Sequence, residues 1–83
     1  MSIRLLLKGN TILEKSGAEN IHQLSMKSRV SVATAYKHIS HPETVKAFDT
    51  EVLISFLMNG MELSKKQVLE LKLGDIFEIV EEK

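Results

Sequence analysis

Ser31, Thr34, Tyr36 and Lys37 fall within one short segment and are interleaved with the small apolar Val32 and Ala33. Together they offer hydroxyls, a phenol, an ammonium and methyl surface, which is the chemistry of recognition rather than of bond making. Ala35 and Ile39 recur at the four-residue spacing of a helix, so one face of this segment packs inward. The opposite side is left to solvent or a partner and carries Ala33 and Lys37, flanked by Val32, Thr34 and Tyr36. Two short helices joined by a tight turn, over residues 21 to 39, must position this set. In the first, Leu24 faces inward and the small Ser25 lets another helix cross close over its backbone. Ser28, Arg29 and Val30 form the corner, and Ser31 caps the orphan amides of the second helix. This spacing is that of a helix-turn-helix that reads DNA.

Gln23, Leu24 and Ser25, followed after four residues by Val30 and Ser31 and then by Thr34, are in register with a known pattern. The chain resembles the helix-turn-helix domains of the phage repressor and Cro family, also called the XRE family, over residues 3 to 60. The resemblance implies that the helix at 21 to 28 braces a recognition helix at 32 to 39, which enters the major groove. It implies base contacts from Ser31, Val32, Ala33, Thr34, Tyr36 and Lys37, and phosphate contacts from Lys27, Arg29, His41, Thr44 and Lys46. Where the family has glycine at the turn, in positive φ, this chain has Arg29. Where it has larger aliphatic residues, this chain has Ala35 and His38, so Phe48 or Phe56 is expected to fill the core beneath the second helix.

Eighty-three residues make a single domain over 1–83, marginal as a monomer. The lack of cysteine excludes disulfides and thiolate chemistry. No apolar run approaches the ~20 residues of a membrane span, so a cytoplasmic, nucleoid-associated protein with no membrane partner is expected. Net charge is zero but polarised. Residues 22 to 46 hold Lys27, Arg29, Lys37 and Lys46 against Glu43 alone, whereas residues 47 to 83 carry eight acids against four lysines. Such a field orients the basic segment toward phosphate without any excess of total charge.

Residues 2 to 8 alternate Ile3, Leu5 and Leu7 with Arg4, Leu6 and Lys8, a period of two that suits a strand. Thr11 with Glu14 then reads as a capping box, placing a helix from Thr11 to a stop at Gly17; one continuous helix over 3 to 16 is the alternative. Asn20 with Gln23 caps the second helix. Phe48, Asp49 and Leu53 read as a staple around an Asp cap, opening a fourth helix that runs to Asn59 and Gly60, and Ser64 with Gln67 caps a fifth over 65 to 71. Gly74 and Asp75 mark a turn. Residues 76 to 82 then suit a strand with Phe77 and Ile79 inward and Glu78 outward, pairing with residues 2 to 8 within one subunit or between two; a terminal helix is the alternative.

The predicted fold class is therefore mainly α: a five-helix, repressor-like helix-turn-helix domain with a small antiparallel ribbon from its N- and C-terminal segments. His38 and His41 are three apart, but Pro42 ends the helix between them and no third ligand matches, so no metal is expected. No cofactor is expected either. Ser31, His38 and Asp49 are types a hydrolase uses, yet nothing gathers them around a pocket, so no catalysis is expected. The expected partners are double-stranded DNA and a second copy of the chain, with residues 61–83 as the dimerisation extension. A protein-interaction module, or an antitoxin binding both DNA and a protein, is the rival reading.

Overall fold

Alternating side chains let Ser2–Leu7 (β1) put Ile3, Leu5 and Leu7 on one face, and Phe77–Glu82 (β2) does the same with Phe77 and Ile79. The two strands pair antiparallel from Ser2 opposite Glu82 to Leu7 opposite Phe77, a two-stranded sheet joining the N- and C-terminal segments of one chain. This pairing excludes both the helix over 3 to 16 and the terminal helix over 76 to 82. The structure is a computed structural model and describes residues 2–45 and 49–82. The root of the ribbon is in the core, where Leu7 and Phe77 are buried and Leu5 packs beside them. Farther out, Ile79 is 56% and Ile3 67% exposed, so the expected inward position of Ile79 is corrected: its partner across the ribbon, Leu5, takes the contact with the core. The Arg4 guanidinium donates to the Glu43 carbonyl.

The rest of the described chain is mainly helical. The first helix, Gly9–Ser16 (α1), begins before Thr11 and without a side-chain cap, which corrects the capping-box reading. Its start is set by tertiary contacts. The Lys8 N–H donates to the Ile76 carbonyl at 2.8 Å, and Gly9 lies against the backbone of Ile39 so closely that a Cβ there would stand 2.2 Å from the Ile39 oxygen. Gly17 ends α1 in the left-handed region at φ 75°, as a glycine readily does.

Next come Ile21–Ser28 (α2) and Val32–Ser40 (α3), then a single 3-10 turn at Pro42–Thr44. Thr50–Ser55 (α4) is capped by the Asp49 carboxylate, which accepts from the Glu51 N–H at 2.9 Å; the proposed staple partner Phe48 lies outside the described residues. Beyond Ser55 the helix widens into a π turn over Phe56–Gly60, closed from the Met61 N–H to the Phe56 carbonyl at 2.9 Å, with consecutive Phe56 and Leu57 both buried. Lys65–Glu70 (α5) carries the expected reciprocal cap: Gln67 N–H to Ser64 Oγ at 3.2 Å, and Ser64 N–H to Gln67 Oε1 at 2.8 Å. Residues read as a plain turn form one further helical turn, Leu73–Ile76 (α6), because the Asp75 carboxylate accepts the Lys72 N–H at 2.8 Å. That raises the expected five helices by one.

A single core gathers Leu7, Ile12, Leu24, Ala35, Ile39, Phe56, Leu57, Ile76 and Phe77. Phe56 is its largest fully buried side chain and fills the space that Ala35 and His38 leave under α3, its ring centroid 6.0 Å from that of His38. Among the described residues no helix is long and apolar enough to cross a membrane.

Candidate nucleic-acid interface

α2 is fixed at its start by local bonds. Asn20 Oδ1 accepts the Gln23 N–H at 2.9 Å, and Gln23 Oε1 accepts the Glu19 N–H at 3.0 Å, so amides that would otherwise lack a partner are satisfied before the helix begins. On its inner side Leu24, Ser25 and Ser28 are buried. The small serines let the 56–60 turn approach: a Cβ on Gly60 would lie 2.7 Å from Ser28 Oγ and 3.1 Å from a Leu24 methyl carbon. α2 is thus clamped from behind and holds the following turn in place.

That turn passes through Arg29 at φ 60°, ψ 38°, the left-handed conformation that terminates α2, with the Val30 N–H reaching back to the Ser25 carbonyl at 3.1 Å. Positive φ is where the family resemblance puts glycine. A side chain there clashes with its own backbone by about 1 kcal/mol, and the exposed guanidinium makes no ion pair among the described residues. Arg29→Gly should therefore raise the unfolding free energy by about 0.5–1 kcal/mol, read from the urea midpoint. If the guanidinium contacts phosphate, the same variant should hold duplex DNA less tightly, so the two assays move in opposite directions.

Ser31 opens α3. Its Oγ accepts the Thr34 N–H at 3.1 Å and donates to Thr34 Oγ1 at 2.8 Å. From there the turn of about 100° per residue sorts the helix into two arcs. Ala35, His38 and Ile39 are buried, with Thr34 half-buried beside them. Val32, Ala33, Tyr36, Lys37 and Ser40 form the exposed arc. Ser40 is the residue that the sequence reading missed. The helix was closed at Ile39, although the same periodicity that selects Ala33 and Tyr36 puts position 40 between them.

His38 turns inward. Its Nδ1 lies 2.8 Å from the Thr34 carbonyl, which can only accept, so Nδ1 carries a hydrogen; Nε2 is buried with no hydrogen-bond partner among the described residues. His41, past the end of the helix, is exposed, with its ring 5.1 Å from Tyr36 and its Nδ1 3.5 Å from Glu43 Oε1.

The expected phosphate-contact residues fare unequally. Lys27 is held by its own chain: its ammonium donates to the Ser16 carbonyl at 2.5 Å and pairs with Glu62 at 3.2 Å, tying α1, α2 and the segment after the π turn together. Thr44 is exposed, its hydroxyl donating to the His41 carbonyl at 2.7 Å. Lys46 lies outside the described residues. Arg29 and Lys37 remain as exposed cations with no ion pair among the described residues, one at the turn and one on the open arc of α3. Compared with known proteins, the chain matches no family model, no curated protein and no solved structure.

Proposed function

We propose that the protein binds duplex DNA sequence-specifically through α3 laid in the major groove, as a transcriptional regulator that represses by occupying its operator. The observation that carries this reading is the open arc of α3. Val32, Ala33, Tyr36 and Lys37 are exposed while the back of the same helix is locked into the core. The cap at Ser31, the left-handed turn at Arg29 and the buried Leu24 and Ser25 support a repressor-like helix-turn-helix, in line with the resemblance carried by Gln23, Leu24, Ser25, Val30, Ser31 and Thr34. A two-fold dimer would set two such helices about 34 Å apart over an inverted repeat. Leu69, Leu73 and Ile79, exposed in the 61–83 extension, are the apolar surface offered for it.

Selection from a random duplex library, at several salt concentrations, tests the reading. The expected result is enrichment of an inverted repeat, with affinity falling as salt rises because bound phosphates release their counterions. Lys37→Glu should weaken the enriched duplex by about tenfold or more, since it replaces a cation by an anion against the phosphate field. No enrichment at the lowest salt would overturn it. A second reading, a protein-interaction module on the same frame, is favoured by the exposed apolar Val32 and by the zero net charge. Such a module would keep its protein partner, and show no duplex to lose, in the Lys37→Glu variant.

A further inference from the structure

The polar groups of the open arc of α3, the Tyr36 and Ser40 hydroxyls and the Lys37 ammonium, all lie beyond its first turn. The arc carries no arginine, asparagine or glutamine. The Ser31 hydroxyl is already engaged at the cap, where it both accepts from the Thr34 N–H and donates to the Thr34 hydroxyl, and Thr34 itself is half-buried. The Tyr36 ring leans on His41. What the first turn offers freely is hydrocarbon: Val32, 45% exposed, and the methyl of Ala33 beside it. A base pair presents one hydrocarbon group in the major groove, the C5-methyl of thymine.

We infer that α3 selects its sites chiefly by thymine methyl groups, with Val32 and Ala33 as the contacting side chains and Lys37 and Arg29 supplying the attraction to the backbone. This rests on the duplex-binding reading above and gives it a specificity. Charge complementarity argues for a duplex as the occupant of the apolar strip, because the cations at the turn and on the arc lack an ion pair among the described residues, whereas an apolar protein partner would leave both cations without one. Removing one methyl from water against Val32 or Ala33 corresponds to about a fourfold change in affinity.

The experiment uses the duplex enriched from the library and replaces thymine by uracil one position at a time, which deletes the methyl and leaves every hydrogen-bonding group of the base in place. The full chain should bind uracil-substituted duplexes about fourfold more weakly at the contacted positions and unchanged elsewhere. Val32→Ala, a change at an exposed site whose effect on folding is checked by thermal melting, should bring the thymine-to-uracil ratio toward one at the positions Val32 touches. Equal binding of thymine and uracil duplexes by the wild-type chain overturns the inference while leaving duplex binding intact. So does an equal loss at every position in wild type, Val32→Ala and Ala33→Ser, which assigns the effect to DNA shape rather than to the side chains. Failure to enrich any duplex removes the binding reading, and the inference with it.

Discussion

Phe56→Ala is expected to lower the unfolding free energy by about 3–5 kcal/mol. The ring is the largest fully buried side chain, so its removal deletes apolar contact and leaves a cavity that the main chain of the wide 56–60 turn cannot close. Against a total of about 4–12 kcal/mol for a chain of this size, the loss removes between about a quarter of the stability and all of it. Urea unfolding followed by circular dichroism measures it, and Phe56→Leu should recover a substantial part of the loss by refilling the volume. The result bears on the interface as well as on stability. Phe56 stands behind His38, so it fills the gap left by two small or polar positions under α3, and a loss of less than about 1 kcal/mol would show that this packing does not hold the helix.

Gly9→Ala carries the second large effect, about 3 kcal/mol of destabilisation, for a different reason. The added Cβ would meet Ile39 oxygen at 2.2 Å, Cα at 2.8 Å and carbonyl carbon at 2.9 Å, all of them backbone. No rotamer change relieves such a contact, so α1 must lift off the end of α3. Gly74→Ala is the matched control. Nothing lies within 4 Å of the new methyl and Gly74 is helical, so the helix preference of alanine should give a gain of up to about 1 kcal/mol. Melting temperatures of the two variants should move in opposite directions, and equal shifts would refute the close crossing.

The contrast between these two glycines also marks where sequence reading succeeds. α2 and α3 were legible almost to the residue because their starts are made by neighbours in the chain, Asn20 with Gln23 and Ser31 with Thr34, and α5 by Ser64 with Gln67. The ribbon was legible from its period of two. The start of α1 was not, since Gly9 is placed by Ile39 thirty residues on, and the Thr11–Glu14 pattern carries no such information. Nor was the loss of Lys27 to the fold, because its partner Glu62 sits in a different element and nothing in the local pattern points to it. The exposure of Ile79 was missed for a related reason: alternation says which face a strand residue occupies, not which of two paired strands lies against the body. On the candidate site, the outward set of α3 followed from helical periodicity. The mutual bonding of the Ser31 and Thr34 hydroxyls, which removes one polar reader from the arc, needed coordinates.

Pairing Ser2 with Glu82 and Leu7 with Phe77 has a consequence for vectorial synthesis. Residues 2–7 leave the ribosome ahead of the helices described above, and the strand that completes them follows those helices. Until it emerges Leu5, Leu6 and Leu7 have no sheet partner, while the helices can already collapse on their short-range contacts. The nascent chain therefore carries a bare apolar segment until β2 is made, a natural docking point for a holdase and a natural starting point for aggregation when elongation stalls.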